Sequence, residues 1–158
     1  MGVEIERKFL VDPERLPPLP AGSHIRQGYI PAENATVRVR IKDESAFLTL
    51  KGRMHALVRS EFEYPIPYDD ALAMLDELCT RPLIEKKRYE IMHAGHRWEL
   101  DIFEGENEGL LLAEIELTSA DEPFTPPPWV TREVTDDRRY YNANLRTLPF
   151  SRFRDDAP

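Results

Sequence analysis

The chain has 158 residues, 21 of them basic and 29 acidic, giving a formal net charge of −8 and length enough for one domain with a real core. That charge argues against indiscriminate binding to nucleic acid or an anionic membrane, yet it leaves room for a local basic cluster around an anionic ligand. Cys79 is the single cysteine, which excludes an intramolecular disulfide and any multi-cysteine zinc site. Residues 1–8 are charged from Glu4 onward and carry no signal-peptide hydrophobic core, and no apolar run nears the roughly 18 to 20 residues of a membrane span. A cytoplasmic chain is expected.

In chain order the periodicity is mostly two. Residues 3–11 alternate, with Val3, Ile5, Phe9 and Val11 on one face and Glu4, Glu6 and Lys8 on the other. Further strands are expected at about 24–30, 36–42, 46–51 and 59–66. Asp69 is placed to cap a helix in which Ala71, Leu72, Leu75 and Leu78 recur at helical spacing, ending before Pro82. Three more strands follow near 83–92, 96–103 and 110–118, making about eight in all. Residues 122–129 are proline-rich and irregular, with 126–128 extended. Beyond them, 135–139 reads as a helix N-cap at Thr135 with acids in the first turn, opening a short helix to about Leu145. From Pro149 onward the chain is expected to be loose. The fold class is mainly β with a few flanking helices, in a single domain over 1–158.

Parity sorts the side chains of each strand onto two faces. Arg38, Arg40 and Lys42 oppose Val37, Val39 and Ile41; Arg59, Glu61 and Glu63 oppose Phe62 and Tyr64. Lys51 is in phase with Phe47 and Thr49, and Lys86 with Arg88. Glu99 and Asp101 oppose Trp98, Leu100 and Ile102, while Glu114 and Glu116 oppose Ile115 and Leu117. For any one strand the plain reading is a half-solvated sheet, apolar inside and charged outside. Across seven strands that reading weakens, because Ser, Thr, Asn and Gln are scarce at these positions.

Carboxylates two apart on a strand lie about 7 Å apart at the backbone, close enough for their oxygens to share divalent cations. An oxygen-only donor set suits Mg²⁺ or Mn²⁺ rather than zinc. Interleaved Arg and Lys suit phosphate. Together they describe a lining for a polyphosphate with its metals. Eight strands closed into a barrel with this face inward would surround such a ligand, although parity alone leaves open which face is inside. An apolar outer face would then need cover from the helix, the tail or a second copy, so a homodimer is one arrangement.

The opening Glu4-Ile5-Glu6-Arg7-Lys8 resembles the signature of the CYTH superfamily, the triphosphate tunnel metalloenzymes. The resemblance continues nearly to the end of the chain, through Arg26-Gln27-Gly28-Tyr29, Arg38-Val39-Arg40, Thr49-Leu50-Lys51, Glu61-Phe62-Glu63, Glu85-Lys86-Lys87-Arg88, Glu99-Leu100-Asp101, Glu114-Ile115-Glu116 and Glu133-Val134-Thr135. It implies an eight-stranded antiparallel barrel and, for short members, inorganic triphosphatase activity with Mg²⁺ or Mn²⁺, about two ions per site. By the same resemblance Glu4, Glu6, Glu114 and Glu116 hold the metals, with Glu61, Glu63 and Asp101 serving a second metal, its waters or the basic groups. Lys8, Arg38, Arg40, Lys51, Lys86 and Arg88 grip the triphosphate. Glu4, Glu6, Lys8 and Glu116 then carry the catalysis, a hydrolysis without a covalent enzyme intermediate. Tyr29 and a C-terminal helix bearing Arg138 or Arg139 resemble elements near one tunnel mouth, with Arg139 assigned to substrate.

Other residues invite weaker readings. His93 and His96 flank the 94–95 turn and are expected at the surface, Cys79 as a small core residue, and Trp98 and Trp129 as packing residues. Two alternatives to tripolyphosphate hydrolysis stand. One is action on an organic triphosphate (a thiamine triphosphatase, a nucleoside triphosphatase or a class IV adenylyl cyclase), though no convincing base pocket is visible. The other is a non-catalytic polyphosphate- or nucleotide-binding module, which the retained Glu-x-Glu pairs disfavour.

Overall fold

The protein is described here by a computed structural model covering residues 2–145 and 148–153. Its strands are β1 (Gly2–Val11), β2 (Ser23–Ile30), β3 (Thr36–Lys42), β4 (Ser45–Lys51), β5 (Val58–Pro65), β6 (Ile84–His93), β7 (His96–Phe103), β8 (Leu111–Glu116) and β9 (Val130–Glu133). Two helices join them, α1 (Tyr68–Glu77) and the single turn α2 (Asn142–Leu145). The first eight strands are antiparallel in the order β5-β4-β3-β2-β6-β7-β8-β1, and pairing of β1 with β5 closes the barrel. Each expected strand is present within one or two residues.

Strand β9 was not expected. Pairing of β5 with β1 stops at Ile5↔Val58, which leaves one edge of β1 open beyond that point. There β9 takes over, pairing at Phe9↔Glu133 and Val11↔Val130. An unfilled edge is costly to leave bare, and four residues suffice to fill it.

The charged face is the inner one, so the half-solvated sheet is overturned. The apolar outer faces are covered from within the chain. Helix α1 lays Ala71 and Leu75 over Val39, Ile41 and Ala46, with Cys79 in the same cluster. The proline-rich connector covers β1, β7 and β8: Phe124 and Trp129 meet Trp98 edge-on, at 5.8 and 6.1 Å between ring centroids. Val3 and Tyr64 remain exposed. No helix among the described residues is long and apolar enough to cross a membrane.

Three local expectations are corrected. Helix α1 is preceded by Pro67, not capped by Asp69, and Asp69 and Asp70 lie in its first turn, where their charge complements the helix dipole. Thr135 caps no helix; its hydroxyl accepts from the Lys8 amide at 3.0 Å, and the chain forms a 3-10 turn (Arg138–Tyr140) capped by Asp137 before α2. Nor is the chain loose from Pro149. Phe150 and Phe153 are buried with Tyr140, Leu145, Leu10, Phe103 and Leu112, closing one end of the barrel. The remaining tail, 154–158, lies outside the described residues. Phe153 meets Tyr140 at 5.5 Å and Phe150 at 5.4 Å, both edge-on. Phe153→Ala is therefore expected to cost about 3 kcal/mol in urea denaturation, where a loose tail would give a change within about 0.5 kcal/mol.

His96 is also less exposed than a turn residue. The two-residue turn at Ala94 and Gly95, both at positive φ, brings His96 back into register with His93, and its Nε2 meets Glu122 at 2.6 Å. That contact ties the β6–β7 hairpin to the connector.

Candidate active site

Register aligns the inward residues around the barrel. Across β1 and β8, Glu6 faces Glu116 and Lys8 faces Glu114; across β7 and β8, Glu99 faces Glu114. Gln27 faces Arg40, Tyr29 faces Arg38, and Lys51 faces Glu61. They enclose a cavity of about 260 Å³. Among the described residues seven cations line it (Lys8, Arg38, Arg40, Lys51, Arg59, Lys86, Arg88), against seven carboxylates (Glu4, Glu6, Glu61, Glu63, Glu99, Glu114, Glu116). The wall is charge-balanced.

Its cations are mostly paired. Lys51 Nζ lies 2.8 Å from Glu4, and Arg59 Nε 3.6 Å from the same carboxylate. Lys8 Nζ donates to the Tyr140 carbonyl at 3.2 Å and stands 3.7 Å from Glu114. Arg38 reaches Thr49 at 3.3 Å and Glu63 at 3.5 Å. Arg88 grips Asp101 through Nε and Nη2, both at 2.8 Å, and Lys86 Nζ lies 2.7 Å from the same acid. Burial pulls the Lys86 ammonium down to about 7 against the attraction of Asp101, while the charge of Arg88 first, and then that of Lys86, holds Asp101 near 2 despite its own burial.

Its acids are not all satisfied. Glu6 is pushed well above the usual carboxylate range, by burial first and then by the charges of Glu114 and Glu4. Glu61 and Glu116 are raised too, each by burial before any neighbouring charge. Glu4 keeps one buried oxygen, Oε1, without a hydrogen-bond partner. Acids crowded so closely, one of them with a buried oxygen that has no hydrogen bond and only Arg59 Nε at 3.6 Å, are what a hard divalent cation satisfies. The donor set fits Mg²⁺ or Mn²⁺.

Of the residues expected at the site, Glu4, Glu6, Lys8, Tyr29, Arg38, Arg40, Lys51, Glu61, Glu63, Lys86, Arg88, Glu114 and Glu116 all line the cavity. Asp101 is in the wall behind them, its carboxylate taken by Arg88 and Lys86. Arg139 does not line the cavity; Asp137 holds its guanidinium at 2.7 Å and it lies over the Tyr140 and Phe153 rings. Arg138 instead borders a wider mouth cavity of about 900 Å³ that shares Tyr29, Thr36, Met54, Arg59 and Tyr141 with the tunnel. Sequence reasoning passed over Gln27, Thr49 and Asn142, neutral residues that the search for ionised groups left out. Parity did place Thr49 in phase with Lys51, whereas the strand at 24–30 has its charged residue, Arg26, out of phase with Gln27. Nothing in the spacing could place Asn142, which enters from beyond the strands.

One metal-type cluster lies apart from the tunnel: His24 Nε2 is 3.5 Å from Glu85 and 3.3 Å from Glu104, with both acids exposed. It has the form of an exposed polar contact between β2 and the acids at 85 and 104.

The CYTH domain model matches residues 2–144. This chain belongs to the CYTH domain family. The chain is 45% identical to an inorganic triphosphatase of Acetivibrio thermocellus, over 98% of this chain and all of that protein. It is 39% identical to an inorganic triphosphatase of Nitrosomonas europaea, over 90% of this chain and 95% of that one. Among solved structures, the inorganic triphosphatase NE1496 superposes with a TM-score of 0.65 at 35% identity, covering 92% of this chain and 95% of that chain. A putative adenylate cyclase from Bacillus halodurans shares the fold, with a TM-score of 0.59 at 20% identity over 77% of this chain and 84% of that chain.

Proposed function

We propose that this chain hydrolyses inorganic tripolyphosphate to pyrophosphate and phosphate inside the barrel, with Mg²⁺ or Mn²⁺. The observation that carries this is the balanced wall of seven cations and seven carboxylates around one cavity. A bare polyanion would be repelled by the acids and a bare metal by the cations. A polyphosphate neutralised by divalent ions suits both halves. The inorganic triphosphatase activity of both full-length relatives supports the same substrate.

Glu4, Glu6, Glu114 and Glu116 would hold the cations, with Glu61 and Glu63 beside them. Bound there, Mg²⁺ or Mn²⁺ would neutralise phosphate charge and lower the pKa of a water. The protein's own part is orientation and charge. A water attacks the terminal phosphorus in line, the bridging P–O bond breaks, and pyrophosphate leaves. Arg40 and Lys86 face the cavity and stabilise charge on the transferred phosphoryl group and the leaving pyrophosphate. Asp101 keeps Lys86 and Arg88 in place, because its oxygens are taken by them.

The test is release of phosphate and pyrophosphate from tripolyphosphate, ATP and thiamine triphosphate, side by side, with Mg²⁺, Mn²⁺ or EDTA. Fast cleavage of tripolyphosphate with metal, none with EDTA and ATP far behind is the expected pattern. Formation of pyrophosphate and a cyclic nucleotide from ATP would replace this reading with a cyclase.

A further inference from the structure

Arg40 differs from the other cations of the tunnel. Among the described residues no carboxylate lies within 4.0 Å of it. Its Nε donates instead to a neutral oxygen, Gln27 Oε1, at 2.8 Å. Gln27 is fully buried. Its amide nitrogen donates to the Tyr29 hydroxyl at 2.8 Å and to Asn142 Oδ1 at 3.4 Å. Asn142 Oδ1 in turn accepts from Lys86 Nζ at 2.8 Å. An ammonium has no acceptor, so the Asn142 oxygen must face Lys86. The Gln27 amide must then turn its nitrogen toward that oxygen and its own oxygen toward Arg40. Both ends of the amide are fixed by chemistry.

We infer that Gln27 is a positioning residue for triphosphate binding: its neutral amide, 2.8 Å from Arg40 Nε, orients the guanidinium without neutralising it. The inference rests on the tripolyphosphate reading above. A carboxylate at this place would hold Arg40 as firmly and cancel its charge, as Asp101 does for Arg88. An amide holds it through one edge and leaves the terminal nitrogens for phosphate oxygens. The tunnel thereby keeps one guanidinium at full charge next to Arg38 and Arg88; its burial first, and then their like charges, lower it to about 9.

Two variants separate this role from a merely structural one. Gln27→Glu keeps the shape and the acceptor for Arg40; Gln27→Met keeps the length and removes every hydrogen bond. If Gln27 only supports the fold, Gln27→Met is the more damaging change by every measure. If it positions an unneutralised Arg40, the orders oppose each other. Gln27→Glu should melt at or above Gln27→Met, yet bind tripolyphosphate more weakly. Calorimetric titration of a non-hydrolysable methylene analogue of tripolyphosphate with Mg²⁺ should show Kd raised at least about tenfold for Gln27→Glu, a loss of that size being expected when a charged hydrogen-bonded contact goes. With Mg²⁺, KM should rise by a similar factor and kcat change less. Gln27→Glu binding as tightly as the wild type, or more tightly than Gln27→Met, would overturn the inference while the function stands. A wild-type chain that neither binds nor cleaves tripolyphosphate would overturn the function, and this inference with it.

Discussion

Glu6→Gln is expected to lower tripolyphosphate turnover by at least about a thousandfold, as loss of metal charge stabilisation worth several kcal/mol implies. The metal-free variant should nevertheless melt higher than the wild type at neutral pH. Both effects follow from one feature, the crowding of Glu6 against Glu114 and Glu4 in a buried wall. Without a cation, ionising Glu6 costs the folded state, which holds that proton to higher pH than the unfolded chain does. Between the two pKa values the folded state binds more protons, so stability falls as pH rises, and the whole penalty is present above the folded pKa. Glutamine removes the penalty and the ligand together. Melting curves in EDTA from pH 4 to 8 should therefore show a decline with pH in the wild type and a weaker one in the variant. Added Mg²⁺ should raise the wild-type Tm and leave the variant nearly unmoved. A variant that keeps metal-dependent turnover would remove Glu6 from the metal site.

The barrel was legible because its chemistry is unusual at the right period. A helix cannot place Arg38, Arg40 and Lys42 on one face, whereas a strand must, so alternation fixed the element and sorted its charged side chains onto one face. Parity could not say which face turned inward. The structure shows the reason: Ala71 and Leu75 of α1 and Phe124 and Trp129 of the connector cover what would otherwise be an apolar exterior. That cover comes from distant segments, and the connector has no period to read. Strand β9 was invisible for a related reason. Val130–Glu133 pairs only because β5 leaves β1 early, a fact of the closed barrel rather than of four residues.

Misreading 135–145 as one helix had consequences for the site. A continuous helix would present Arg138 and Arg139 on successive sides of one rod. The 3-10 turn instead lets Asp137 hold Arg139 against Tyr140 and Phe153, and it sends Asn142 into the tunnel. The caps at Thr135 and Asp137 are chemically equivalent choices, and Thr135 is drawn away by the Lys8 amide on β1. A tertiary contact decided between them.

Asp101→Asn is expected to cost about 3–5 kcal/mol at pH 7, the loss seen when one partner of a buried ion pair is removed. Asp101 is 1% exposed and Lys86 fully buried, and the carboxylate also carries both strong bonds from Arg88. An amide offers one oxygen, no charge and an amino group that faces cations. Lys86, already pulled down to about 7 by burial, would lose its chief support and shed its proton at neutral pH. Tripolyphosphate affinity should fall with it. The pH dependence has a definite sign. Asp101 is lowered from 3.8 to about 2, so its stabilisation is complete above about pH 4 and is lost as pH falls toward 2. Urea denaturation should therefore show wild type and variant far apart at pH 7 and converging near pH 2. The same variant decides between two roles for this acid. If Asp101 fixes the basic wall, the Mg²⁺-induced rise in Tm survives the substitution although stability drops. If stability holds and the Mg²⁺ effect disappears, Asp101 is a metal ligand, and Lys86 and Arg88 must be held by something else.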